Sequence, residues 1–158
     1  MEILDHPGWL WGLSLIVLTM AIHATAVVML AFVGVRIRMR LETRGLKVWN
    51  LIAIVICAVG VGGLLLAVLH GIECMIWAAA YLWLGALDSP RDALFFSLDS
   101  MSTRGASGLT LQRPWQMMGA LEAVDGMLLF GVSTAFIFTV MQMYIQSMFA
   151  AHVTPSKS

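Results

Sequence analysis

Residues 93–109 read ALFFSLDSMSTRGASGL, and this stretch decides how the chain is organised. An apolar run passes into a cluster of Ser and Thr, then into a glycine-containing loop, and a new apolar helix is predicted from Pro114. The helix before the loop is too short to cross a bilayer, so the chain has to enter and leave on the same side. The pattern predicts a re-entrant loop of the kind that presents backbone carbonyls to an ion pathway. Arg104 is unusual in it, because such loops are normally neutral.

The composition indicates an integral membrane protein. Of the 158 residues, 60% are hydrophobic and 11% are charged, and the mean hydropathy is +0.89. Soluble domains are nearer half apolar and a quarter charged. Nine basic residues balance nine acidic ones, so we expect membrane lipid and no nucleic acid as a partner. Neither catalytic residues nor a metal site is predicted, and the only small partner we expect is a permeant monovalent ion.

Three apolar stretches are long enough to cross a bilayer, which takes about 20 residues. The first, residues 9–35, is followed by a basic loop at 36–47 that the charge rule places in the cytoplasm. The second covers 48–87, and the third covers 114–151 before a short cytoplasmic tail at 152–158. The predicted orientation therefore has the N-terminus outside and the C-terminus in the cytoplasm.

The second stretch is too long for a single crossing. As one helix, residues 49–87 would be about 58 Å long, against a hydrocarbon core of about 30 Å. The outer part, 74–87, is therefore expected either to project from the membrane or to lie along its surface. Trp77, Tyr81 and Trp83 favour contact with the lipid headgroups.

Residues 88–92, which read DSPRD, have the sequence features of a helix start. Asp88 or Ser89 can cap the helix, and Pro90 suits its first position. The sequence therefore predicts a short helix over residues 90–102.

From about Leu69 to Gln142 the chain resembles the small bacterial members of the potassium channel superfamily. LHGIECMIWAAAYLWLGAL followed by ALFFSLDSMST is similar to their outer helix and pore helix, and GALEAVDGMLLFGVSTAFIFTVMQ is similar to their inner helix. The resemblance implies an all-α membrane fold with three transmembrane helices, a re-entrant pore helix and a filter-like loop at 103–109, assembled as a homotetramer. Residues 48–151 would form the pore unit, and residues 1–47 would be an addition to it.

The filter-like loop departs from the family pattern of Thr, a small aliphatic residue, Gly, an aromatic residue, Gly and Asp. After Ser102, the corresponding residues are Thr103, Arg104, Gly105, Ala106, Ser107 and Gly108. The aromatic residue, the second glycine and the aspartate are missing, which puts the outer two ion sites in doubt and leaves an inner site at Thr103. The function implied is a weakly selective ion pore. The alternative is a non-conducting scaffold or accessory subunit of a larger membrane complex.

Arg104 separates these alternatives. Side chains of such a filter point back into the protein, where an unpaired charge is very costly. We expect Asp99, five residues earlier, to pair with Arg104 and brace the loop from behind. In a second possibility the arginines face the axis, repel cations and favour anions. In a third, the loop is closed and serves only the structure.

The inner helix carries two carboxylates and two glycines of interest. Polar groups within a membrane span are functional candidates by default. Glu122 is expected to form a hydrogen bond to the pore helix, and Asp125 either lines a cavity beneath the filter or serves the structure. Gly126 and Gly131 allow either a gating bend or close helix packing, which we weigh equally.

Histidines add one further set of expectations. His23, near the middle of the first span, is interpreted as a hydrogen-bonded packing residue and not as a metal ligand. His70 and Glu73 are spaced as helix neighbours and are expected to pair at the outer interface.

Overall fold

The computed structural model describes residues 7–42, 48–105 and 108–153, and all regular structure within these ranges is helical. The helices, in chain order, are α1 (Pro7–Glu42), α2 (Val48–Trp83), α3 (Pro90–Met101) and α4 (Gln116–Val153), with a 3-10 turn at Arg113–Trp115 before α4. Two compact units are formed: unit 1 (Met1–Ala24 and Ala67–Gly131) and unit 2 (Thr25–Leu66 and Val132–Ser158).

Three helices are long and apolar enough to cross a membrane. The qualifying segments are Pro7–Arg40, Ile52–Trp83 and Arg113–Gln146. This confirms the predicted all-α class for the described residues and is compatible with a multi-pass membrane protein. By contrast, α3 has 12 residues and is about 18 Å long, which is less than the roughly 30 Å of a hydrocarbon core.

Helix α1 continues beyond the point where the sequence predicted a loop. Arg36, Arg38 and Arg40 belong to the helix and not to a connecting segment, because α1 ends only at Glu42. Arg, Met and Leu are good helix formers, and neither Gly nor Pro interrupts residues 35–42. Residues 43–47, which complete the predicted basic loop, lie outside the described residues.

Helix α2 ends at Trp83, four residues earlier than predicted, because Gly85 adopts a left-handed conformation with φ of +64°. The N–H of Ala86 donates to the carbonyl of Tyr81 at 2.8 Å, and the N–H of Gly85 donates to the carbonyl of Leu82 at 3.1 Å. This pair of bonds is the Schellman motif, which satisfies carbonyls at the end of a helix.

Helix α3 begins as the sequence predicted. The Ser89 side chain accepts a hydrogen bond from the Asp92 N–H at 3.4 Å, and Pro90 occupies the first turn. An N-cap side chain of this kind satisfies one of the free N–H groups at a helix start.

The other end of α3 is a second Schellman motif, but it has threonine in the glycine position. Thr103 donates its N–H to Ser100 at 2.9 Å, and Arg104 donates to Asp99 at 3.0 Å. Thr103 has φ of +59°, the only positive φ of a non-glycine residue in the described ranges. The left-handed region costs such a residue about 1–2 kcal/mol. The turn therefore holds the following loop in place at the expense of local strain.

Close backbone contacts join the helices of unit 1. A Cβ on Gly8 would lie 2.7 Å from the carbonyl oxygen of Pro114, and one on Gly12 would lie 2.5 Å from Cδ1 of Leu121. A Cβ on Gly126 would collide with the Met101 carbonyl at the end of α3. Small residues one turn apart let membrane helices approach this closely.

Unit 2 has an apolar groove of about 450 Å³. Its wall consists of aliphatic and aromatic side chains with glycines; the members include Leu30, Gly34, Cys57, Gly62, Phe136 and Tyr144. Its lining contains no ionisable side chain other than the Cys57 thiol and the Tyr144 phenol.

Candidate functional site: a buried polar network and the loop after α3

Unit 1 buries polar side chains within helices that are otherwise apolar. The fully buried members come from all four helices and are Thr19, His23, Glu73, Ser97, Glu122 and Asp125. Helix α2 supplies one polar face, because residues 70, 73, 77 and 81 follow one another at spacings of three or four. The buried groups fall into three clusters, one around each carboxylate.

Glu122 joins three helices. Tyr81 donates its hydroxyl to Oε2 of Glu122 at 2.7 Å, and the Ser97 hydroxyl donates to Oε1. Ser97 also lies 2.9 Å from the carbonyl oxygen of Cys74. The predicted hydrogen bond between Glu122 and the short helix is therefore confirmed, and it comes with a partner on α2 that the sequence did not indicate.

Asp125 is held by α1 and α2. Oδ2 lies 2.7 Å from the Thr19 hydroxyl and accepts a hydrogen bond from Nε1 of Trp77 at 3.0 Å. Oδ1 is buried and has no hydrogen-bond partner among the described residues. Of the two roles weighed for Asp125, these contacts favour the structural one, because its carboxylate turns toward donors in the interior of unit 1.

Glu73 lies between two imidazoles. Oε1 is 2.9 Å from Nδ1 of His23, and Oε2 is 3.2 Å from Nδ1 of His70. The two imidazole centroids are 5.1 Å apart, and His70 stacks on Phe130 with centroids 4.5 Å apart. The predicted pairing of His70 with Glu73 is confirmed as a contact, whereas its place at the outer interface stays a prediction. The approach of His23 from α1, 50 residues away in sequence, was not predicted.

The aromatic residues of α2 do not all lie where the sequence suggested. Trp77 and Tyr81 are completely buried, whereas Trp83 is 73% exposed. The headgroup contact predicted for Trp77 and Tyr81 is therefore wrong. The reason is that their polar tips donate to Asp125 and Glu122 inside the protein, which is how buried Trp and Tyr are usually satisfied.

The loop after α3 contains the predicted Asp99–Arg104 ion pair. Nε of Arg104 lies 2.6 Å from Oδ1 of Asp99, and the guanidinium carbon lies 5.8 Å from the ring centroid of Phe95. The two side chains differ in burial: 2% of Asp99 and 63% of Arg104 are exposed. The carboxylate is therefore the buried partner in this chain, and the burial of Arg104 behind an assembled filter stays a prediction. The bracing role stays a prediction.

Backbone geometry shapes the rest of this loop. The carbonyl of Asp99 accepts the Ser102 hydroxyl at 3.1 Å as well as the Arg104 N–H. Gly105 and Gly108 both adopt left-handed conformations, with φ of +62° and +73°. Ala106 and Ser107, two members of the predicted filter-like loop, lie outside the described residues.

The two glycines of α4 have different surroundings. Gly126 lies against the backbone of Met101, whereas a Cβ on Gly131 would meet no atom within 4 Å. Close packing is therefore the role that the structure gives to Gly126, and α4 runs unbroken through both positions.

Comparisons of the chain with protein-family models, curated proteins and solved structures gave no match. The functional argument therefore depends on the contacts and charges described above.

Proposed function

We propose that the chain is the pore-forming subunit of a potassium-channel-like ion channel with an altered, weakly selective filter. The observation that carries this proposal is the 2.6 Å contact between Arg104 and the buried Asp99 carboxylate. A ring of arginines without acidic partners would repel cations. Because each arginine brings its own carboxylate, the pair adds no net charge to the loop, and a cation can pass it.

The short helix supports the same proposal. Helix α3 lies between two helices that are long enough to span a membrane, and it is itself about 18 Å long. In our proposal it enters from the outer side and returns to that side through the loop. Non-helical backbone at membrane depth has to face protein or water, so the glycine-bearing loop would line an aqueous path.

The path requires several copies of the chain. Three spanning helices cannot enclose a pore, whereas a ring of four copies can, each supplying one loop. An open pocket of about 500 Å³ in unit 1, whose lining includes Asp99, Thr103, Gly105 and Gln116, would face a neighbouring copy. The proposed tetramer lies in the bacterial inner membrane, with the N-terminus outside and the C-terminus in the cytoplasm.

A second candidate function is a non-conducting scaffold or accessory subunit of a larger membrane complex. The observation that favours it is the closure of the turn after α3. The Asp99 carbonyl accepts the Arg104 N–H, the Gly105 N–H and the Ser102 hydroxyl. A carbonyl that is occupied in this way cannot coordinate an ion without opening the turn.

Flux through proteoliposomes separates these functions. Purified protein with its oligomer mass established is reconstituted, and K⁺, Na⁺ and Cl⁻ fluxes are measured. We expect cation flux with little preference between K⁺ and Na⁺. Arg104→Gln should change the ratio of cation to anion flux, whereas the exposed Arg113→Gln, outside the loop, should not.

Two outcomes contradict the proposal. Anion-selective flux that Arg104→Gln abolishes would place the arginines on the axis. A folded oligomer that passes neither cations nor anions would leave the scaffold as the better function.

A further inference from the structure

The Glu73 cluster has the donor atoms of a metal site. His23 on α1 and His70 and Glu73 on α2 each offer one ligand atom, and the three atoms lie within 4.8 Å of one another. His23 and Glu73 are fully buried, and 12% of the His70 side chain is exposed. Two imidazole nitrogens and one carboxylate oxygen form a frequent donor set for Zn²⁺ and related ions.

The separations suit one ion. Ligand atoms about 2.0–2.1 Å from a tetrahedral Zn²⁺ lie roughly 3.3 Å from each other. Nδ1 of His23 is 2.9 Å from one oxygen of Glu73, and Nδ1 of His70 is 3.2 Å from the other. Small rotations of the imidazoles would therefore bring both nitrogens and one carboxylate oxygen around a common centre.

The charges of the surrounding groups favour a divalent cation. Asp125 is held by Thr19 and Trp77, which lie one turn from His23 and Glu73 on the same two helices, and its buried Oδ1 has no hydrogen-bond partner among the described residues. Coordinated imidazoles are neutral, so a divalent ion would balance the carboxylates of Glu73 and Asp125. An uncompensated carboxylate in such an interior is costly.

Neighbouring side chains hold the donors in position. Phe130 stacks on the ring of His70 and limits its rotation. Thr19 and Trp77 hold Asp125, the proposed charge partner, through its other oxygen. Outer contacts of this kind orient metal ligands.

We propose that His23, His70 and Glu73 bind one Zn²⁺-type transition-metal ion inside unit 1, with Asp125 as its charge partner. The ion links α1 to α2 and has three protein ligands, which leaves a position for water. The sequence-based expectation that His23 is a hydrogen-bonded packing residue is confirmed by its 2.9 Å contact with Glu73, and the proposal adds a ligand role to it. The proposal is independent of conduction, because none of the three ligands belongs to the loop after α3.

Metal content and Co²⁺ spectroscopy test the site. Untagged protein is stripped with a chelator in detergent and titrated with Zn²⁺, with Co²⁺ as the spectroscopic probe and with Mg²⁺ as a control ion. We expect about one Zn²⁺ per chain by elemental analysis and the intense visible bands of four-coordinate Co²⁺. Mg²⁺, which prefers oxygen ligands, should not compete.

Three substitutions locate the ion. His23→Gln, His70→Gln and Glu73→Gln should each weaken Zn²⁺ binding by roughly tenfold or more. Glu122→Gln is the matched control, because it changes a buried carboxylate in the same unit and should leave the metal content unchanged. The variants are compared at equal helix content and elution volume.

If a variant fails to fold, the metal site can still be tested with wild-type protein. Its melting temperature should fall on chelation and recover with Zn²⁺ but not with Mg²⁺. Folded wild-type protein that retains no Zn²⁺ and gives no Co²⁺ bands would overturn the proposal. So would Zn²⁺ binding that survives in all three folded ligand variants.

Discussion

Units 1 and 2 are both built from apolar helices, but they differ in what they bury. In the described residues, the buried carboxylates are Glu73, Asp99, Glu122 and Asp125, and all four belong to unit 1. Among the described residues of unit 2, the buried side chains with a polar group are those of Ser133 and Tyr144, and the unit has an apolar groove. In lipid, apolar contact alone hardly favours one helix partner over another. Hydrogen bonds and close packing do favour particular partners. Unit 1 therefore has the more specific interior, and the following substitutions test that difference.

The largest effect should come from Glu122→Ala. The change leaves the hydroxyls of Tyr81 and Ser97 without their shared acceptor, and each stranded buried donor costs about 1–3 kcal/mol. We expect the free energy of unfolding to fall by about 2–4 kcal/mol, measured in detergent by denaturant titration. Glu122→Gln keeps an acceptor and should cost less. Equal stability of the two variants would show that the hydrogen bonds contribute little to the specificity of unit 1.

Gly126→Ala should be the next most damaging change. The new methyl group would collide with the Met101 carbonyl, and overpacking of this kind typically costs about 1–3 kcal/mol. Gly131→Ala on the same helix and Gly63→Ala in unit 2 are matched controls, because a Cβ at either site meets no atom within 4 Å. Both should be neutral or slightly stabilising by helix propensity. If Gly63→Ala lowered the melting temperature as much as Gly126→Ala, close packing would not distinguish unit 1 from unit 2.

Two threonines offer a smaller test between the units. Thr19 and Thr139 each place a hydroxyl 2.8 Å from the carbonyl four residues earlier, but only Thr19 is buried and reaches Asp125. We expect Thr19→Val to lower the free energy of unfolding by about 1 kcal/mol and Thr139→Val to change it by a few tenths at most. Similar values for both variants would mean that Asp125 gains little from the hydroxyl.

The smallest effect should come from Asp99→Asn. The sequence alone suggested that removing Asp99 strands a buried arginine, at a cost of several kcal/mol. Arg104 is instead 63% exposed, so water can hydrate it once its partner is gone. Exposed ion pairs contribute about 0–1 kcal/mol, and we expect a loss in that range by denaturant titration. A loss of several kcal/mol would show that Arg104 is buried in the assembled protein.

Local patterns in the sequence predicted local structure well. Ser89 and Pro90 gave the start of α3, because capping depends on residues only three apart. The Asp99–Arg104 contact followed from a separation of only five residues and from opposite charge. Glu122 was assigned to the short helix because a carboxylate in a membrane span needs a nearby donor.

Contacts between distant parts of the chain were harder to predict. An amphipathic helix shows its buried side through its pattern, but α1, α2 and α4 are so apolar overall that they show little amphipathic pattern. Nothing local therefore indicated that His23 meets Glu73, or that Trp77 and Tyr81 face inward. One signal was available: the polar groups of α2 at residues 70, 73, 77 and 81 share a helix face.

The contact between Gly126 and Met101 has a consequence for motion. Adjacent residues of a helix are about 100° apart around its axis. Turning α4 by one residue would bring the side chain of Asp125 or Met127 to the place where even a methyl group collides. We therefore expect that α4 can neither rotate nor slide at this level by itself. If α4 moves there, the end of α3 has to move with it. A change in the position of Arg104 would therefore indicate that α4 has rotated about its axis.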